Sequence, residues 1–154
     1  MPGYKGHLTG GAAIYGALLV AIIYLIQKPT IMMALEWLAF ALAGSLFPDI
    51  DTKSKGQQFF YRIVLLVFVL LVIQRQCVLL SFLSIIALLP MLVHHRGLFH
   101  RGWFVIGFPV LTAAFCVYYA PHYAHIIWYD VLFFIAGALS HLWLDMGWRR
   151  MWRI

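Results

Sequence analysis

Four places in this sequence set histidine or aspartate beside the start or end of an apolar run. The most compact is His141-Leu142-Trp143-Leu144-Asp145, where His141 and Asp145 are four apart and share one face of a helix. Both can bind one metal, or Asp145 can bind while a second group orients His141. Taken alone, such a pair is equally a polar pair at a membrane interface. In Pro48-Asp49-Ile50-Asp51 the proline ends an apolar run and two carboxylates follow in an extended or turn segment. Their side chains need not point the same way. The third place is His94-His95-Arg96-Gly97-Leu98-Phe99-His100. Gly97 lets the chain bend so that His95 and His100 can face inward together, with His94 ranked below His95. Arg96 offers a planar fork for phosphate or carboxylate, or else anchors the chain at the membrane surface. The fourth is His7, early in the first apolar run.

His7, Asp49, Asp51, His95, His100, His141 and Asp145 together supply seven nitrogen and oxygen ligands. Neither cysteine, Cys77 or Cys116, lies near any of them, so a thiolate site is not expected. Imidazole mixed with carboxylate suits a divalent transition metal: zinc first, with manganese or iron as alternatives. Seven candidates are enough for one or two ions with positions left for water. Three carboxylates against two divalent ions leave about one positive charge, and Arg96 adds another, so such a site attracts an anionic phosphoester.

The elements that must position these residues follow from composition. Of 154 residues, 64% are hydrophobic and 10% charged, and the mean hydropathy is +0.91. Soluble domains are typically about 45–50% apolar and roughly a quarter charged, and disordered chains are poor in aromatics. An all-α, polytopic membrane bundle remains, read as a single integral membrane domain over 1–154. Spans of about 20 apolar residues are expected at 8–27, 31–47, 59–73, 77–93, 103–119 and 126–145. The third is clearest over 63–73 and is the shortest. A single helix over 59–93 would run about 52 Å, too long for one crossing, so Gln74-Arg75-Gln76 is expected to turn. Gln27-Lys28-Pro29 carries no small-residue cleavage site, which favours a retained first helix over a cleaved signal. Gly10, Gly11, Ala12, Gly16, Ala41, Gly44, Ala136 and Gly137 are small residues suited to close helix packing.

Six crossings place Lys5, Lys53, Lys55, Arg62, Arg96, Arg101, Arg149, Arg150 and Arg153 on one side and only Lys28 and Arg75 on the other. That asymmetry makes the first side, with both termini, cytoplasmic. The +6 net charge is therefore read as topology and attraction to anionic lipid, and no nucleic-acid partner is expected. Aromatic belts are expected from Trp103, Trp148 and Trp152 at one interface and Tyr118, Tyr119, Trp128 and Tyr129 at the other. All four His/Asp places fall on the cytoplasmic side. Lys53-Ser54-Lys55-Gly56 reads as a flexible basic turn. On the opposite side, His122, His125 and Asp130 read as solvated loop residues, and a Cys77–Cys116 disulfide is not expected.

Gly6-His7-Leu8, Pro48-Asp49-Ile50-Asp51 with Ser54 and Gly56, His95-Arg96-Gly97-Leu98-Phe99-His100 and Gly137 to Asp145 come in an order that resembles the YdjM family of inner-membrane, metal-dependent hydrolases. The resemblance extends from residue 6 to residue 145. It implies that His7, Asp49, Asp51, His95, His100, His141 and Asp145 form the metal site. A fainter similarity to zinc-dependent phospholipase C favours phosphodiester substrates. The family usually has Thr and Ser around the last histidine of its HRG motif, where this chain has Phe99 and Arg101, and relatives often continue beyond Asp145. The expected function is hydrolysis of a phosphoester, lipid or lipid-linked, at the cytoplasmic interface by metal-activated water. Asp49 or Asp51 would be the general base, and Arg96 would steady phosphate charge. The alternatives are a metal or proton transporter and a module whose metal only staples helix ends. Glu36, inside the second span, is the best support for transport. It lies thirteen residues from Asp49, about 20 Å along a helix, so it is not a ligand of the same ion.

Overall fold

A computed structural model describes residues 3–51, 54–92 and 98–152. His94, His95, Arg96 and Lys53 lie outside the described residues, as do the side chains of Asp51, Trp148 and Arg149. The described chain is helical without strands: α1 (Tyr4–Leu25), α2 (Ile31–Leu46), α3 (Lys55–Ile73), α4 (Cys77–Leu92), α5 (Gly102–Tyr119), α6 (Ala124–Met146) and the short α7 (Trp148–Met151). Short 3-10 turns at Phe47–Asp51, Leu98–His100 and Pro121–Tyr123 join or extend them.

The six expected helices all form, and five are long and apolar enough to cross a membrane. The protein is a membrane protein, and its outer surface shows it: Tyr24, Leu25, Ile31, Leu65 and Leu111 all face outward, as lipid contact allows. The fourth helix is described over Cys77–Leu92, up to the edge of the described residues. The turn at 74–76 is present. Arg75 takes a left-handed φ of 56° there, which breaks the helix between α3 and α4. That break reverses the chain and brings His100 back to the side holding Asp49.

Three sequence expectations need correction. The third helix is not short: it begins at Lys55, four residues before Phe59, and runs for 19 residues. The Lys53-Ser54-Lys55-Gly56 segment is accordingly not a flexible turn from Ser54 onward. The Ser54 hydroxyl caps α3 by accepting from Gln57 N at 3.1 Å, and a Cβ on Gly56 would lie 2.8 Å from the Leu46 carbonyl. Asp130 is not in a solvated loop. It lies inside α6, within the span already expected at 126–145, and it is turned into the bundle and only 7% exposed. His122 and His125 are exposed as expected, and Cys77 and Cys116 are free.

The core is the seam between α1, α2 and α6. Near the end away from the candidate ligands, Trp37 stacks on Phe133 and Tyr129, and Ile22 and Ala41 complete the cluster. Toward the other end the seam narrows because its residues are small. A side chain on Gly137 would strike the Ala41 carbonyl, and one on Gly44 would strike the Phe134 carbonyl. A Cβ on Gly11 would lie 2.7 Å from Ser45 Cβ. Backbone-to-backbone approach of this kind is how helices gain packing where the surrounding lipid is as apolar as the side chains. Gly137→Val is expected to force α2 and α6 apart. Because the clash is with backbone, the cost should reach or exceed the usual overpacking range of about 1–3 kcal/mol. Unfolding in graded SDS with Gly16→Val as control checks this, since a Cβ on Gly16 meets nothing within 4 Å.

Candidate metal centre

The last turn of α2 begins the site. Pro48 has no amide hydrogen, so the helix tightens there into the 3-10 turn Phe47–Asp51. That turn is pinned from three directions. Phe47, Pro48 and Ile50 are buried. The Ser54 hydroxyl donates to the Asp49 carbonyl at 2.8 Å, and the Gln57 amide donates to the Ile50 carbonyl at 3.1 Å. Asp49 is thereby held on fixed backbone, with its side chain 24% exposed.

His141 enters from α6 and is fully buried. Its Nδ1 lies 2.7 Å from the Ser45 carbonyl, one of the last four carbonyls of α2, which have no amide partner within the helix. A carbonyl only accepts, so Nδ1 carries the hydrogen and the lone pair of the neutral ring is on Nε2. This arrangement, a backbone carbonyl fixing the tautomer of a histidine, is how proteins orient metal-binding imidazoles. Sequence reading did not find the Ser45 carbonyl. The available signal was Ser45 lying three residues before Pro48, at a helix end whose carbonyls must go elsewhere.

Around His141 Nε2 stand two carboxylates, Asp49 Oδ1 at 3.5 Å and Asp145 Oδ2 at 3.5 Å. His100 Nε2 is 3.7 Å from the same Asp49 oxygen. His7, in the first turn of α1, stacks on the His141 ring at 3.7 Å, and its Nε2 is 3.4 Å from Asp145 Oδ1. Asp145 therefore presents one oxygen toward His141 and the other toward His7. One ligand atom from each of Asp49, His100, His141 and Asp145 falls within 4.8 Å of all the others.

These residues fit a metal on two grounds. His141 Nε2 and Asp145 Oδ1 are buried without a hydrogen-bond partner, although both face polar atoms. A lone pair aimed at two carboxylates in a buried site is unfavourable unless a cation lies between them. The spacing agrees: ligands about 2.0–2.1 Å from a tetrahedral ion stand about 3.4 Å apart. The nitrogen–oxygen gaps here are 3.4–3.7 Å, longer than charge-assisted hydrogen bonds of about 2.7–2.9 Å.

Of the seven expected ligands, the structure brings His7, Asp49, His100, His141 and Asp145 together. His95 and the Asp51 side chain fall outside the described residues, as does Arg96. Phe99, which stands where a hydroxyl was expected, is 4% exposed and packs edge-on against Phe47 and Phe104. It wedges the turn Leu98–His100 against the turn holding Asp49, so an apolar residue there positions His100. Arg101 ends that turn and precedes α5 without capping it. Glu36 lies far from the cluster, near Asp130 at the other end of the bundle.

The family described as YdjM inner membrane protein matches residues 1–153. No curated protein and no solved structure matches the chain.

Proposed function

The chain belongs to the YdjM inner membrane protein family, and from that premise we propose that it is a metal-dependent hydrolase of a lipid or lipid-linked phosphoester. The observation that carries the reading is the convergence of His100, His141, Asp49 and Asp145, with the His141 tautomer fixed by the Ser45 carbonyl. Two carboxylates balance one divalent ion, for which zinc is the first choice and manganese or iron the alternatives. Asp145, with an oxygen toward each of His7 and His141, is suited to a second ion beside the first. An ion held there would lower the pKa of a water molecule toward about 7 and polarise a phosphoryl oxygen.

The protein's own groups divide the remaining work. His7, His100, His141, Asp49 and Asp145 hold the charge at a fixed point. Asp49 is committed to the cluster, which leaves Asp51, two residues on, as the general base that takes the proton from water. Arg96 is assigned to the phosphate charge that grows as water attacks. The site sits at the ends of spanning helices, the depth of lipid headgroups, and this supports a membrane phosphoester over a soluble one. The excess of basic residues on this side makes the cytoplasmic leaflet the substrate's source, with both termini on that side.

The test is hydrolysis by the purified protein in phospholipid-doped micelles, followed by phosphorus NMR. Phosphoester cleavage should stop on chelation and return with added zinc or manganese. A metal-loaded protein that cleaves no lipid phosphoester would leave the cluster as a staple for helix ends.

A further inference from the structure

On the outer face of α1, α2 and α3, at the same end as the metal cluster, lies a second cavity of about 530 Å³. Its wall is apolar, formed by Leu8, Ala39, Leu42, Leu46 and Phe59. Its rim carries Lys55 and Arg62. On α3, residues Lys55, Gln58, Phe59 and Arg62 follow at intervals of three and four, so they share one face. The two cations are about 10 Å apart along the helix axis, with Arg62 two turns into a spanning segment.

The charge balance here is incomplete among the described residues. Among the described residues every ion pair involves a histidine, and neither Lys55 nor Arg62 has a partner. The four acidic residues whose side chains are described do not offer one. Asp49 and Asp145 face the histidine cluster, Glu36 and Asp130 are at the far end, and Asp51 has its side chain outside the described residues. A charge inside a spanning helix is costly unless an anion or water meets it. The cavity supplies a cationic rim over an apolar wall, and the molecule with the complementary layout is an amphiphile with an anionic head and a hydrocarbon tail.

We propose that this cavity binds one anionic membrane phospholipid, its phosphate between Lys55 and Arg62 and an acyl chain along Leu8, Leu42 and Leu46. The proposal does not depend on catalysis at the metal centre. The lipid sits beside that centre, and the shared walls explain the proximity: Leu8 follows His7 and Leu46 follows Ser45 in sequence.

The test uses the intact protein in detergent, mixed with equal amounts of phosphatidylglycerol and phosphatidylcholine of the same chains and read by native mass spectrometry. Wild type should retain phosphatidylglycerol preferentially. Lys55→Gln with Arg62→Gln should lower that preference about tenfold or more, since each basic residue near a lipid surface contributes measurably to anion binding. Both side chains are exposed, so the variant should fold. Arg150→Gln, an exposed cation of the same basic set, should leave the preference unchanged. Ala39→Trp, which fills the exposed part of the wall, should reduce retention of both lipids. Equal retention of the two lipids by wild type overturns the proposal. So does a preference that survives the double variant, retention untouched by Ala39→Trp, or displacement by water-soluble glycerophosphoglycerol at matched concentration.

Discussion

Alanine at position 145 is expected to empty the metal centre. Among the described residues, Asp145 is the one whose two oxygens face two different histidines, Oδ1 toward His7 and Oδ2 toward His141. Its loss would take a carboxylate from beside both histidines at once. Disturbing only the outer partners of a metal ligand typically costs roughly 10–100-fold in affinity, so loss of a carboxylate that would itself hold the ion should cost more. Metal content measured by mass spectrometry after purification should fall below about a tenth of wild type on that scale. The fold should survive, because the α2–α6 seam rests on Gly44, Gly137 and the His141–Ser45 contact, none of which involves Asp145. Circular dichroism and size exclusion check that point. Asp130→Asn is the contrasting variant: Asp130 is a buried aspartate of the same helix but lies at the far end, and its loss should leave metal in place.

The second large effect is on rate without loss of metal. Asp51→Asn removes the proposed general base while Asp49 still holds its place beside His100 and His141. General-base catalysis contributes typically about 10²–10⁴-fold, and phosphoester cleavage should fall by that order with metal content unchanged. Asp49→Asn should instead lose metal and activity together, since its oxygen is shared by two histidines. The two aspartates of one motif would then separate by what they do. If Asp51→Asn loses metal as Asp49→Asn does, both are ligands and the base lies elsewhere.

The cluster was legible because each of its residues stands beside a helix end. Once six crossings were counted, alternation alone placed His7, Asp49, His100, His141 and Asp145 at one end of the bundle, and the turn at Arg75 kept that count. Side-chain type and position carried the information, and no long-range contact had to be guessed. Three things were not legible. The Ser45 carbonyl that orients His141 is a backbone group, and its use depends on how closely α2 and α6 approach. That approach depends on Gly44 and Gly137 facing each other's helix, a matter of rotation about the helix axes that composition does not fix. The stacking of His7 on His141 follows from the same closeness on the α1 side, through Gly11 against Ser45. Asp130 was misread for another reason. It falls within the expected span 126–145 near that span's end, and its burial depends on the rotation of α6, which turns it into the bundle.

The same packing explains why Phe99 and Gly56 matter. Phe99 looks like a departure from a polar motif, but its ring fills the space between Phe47 and Phe104 and sets the height of His100. Gly56 looked like turn flexibility, yet it lets α3 begin against the end of α2, where Ser54 and Gln57 can hold the Asp49 turn. Residues that carry no chemistry thus position those that do, and only the folded arrangement shows which.

The most direct measurement is the metal content of the wild-type protein, purified without chelator and without an affinity tag that binds metal, by elemental mass spectrometry with X-ray absorption at the edge found. One or two transition-metal ions per chain, with only nitrogen and oxygen neighbours near about 2.0–2.1 Å and the outer scattering of imidazole, is the expected result. A chain that carries no such metal and takes none up when zinc, manganese or iron is supplied would contradict the assignment of His7, Asp49, His100, His141 and Asp145 as a metal centre.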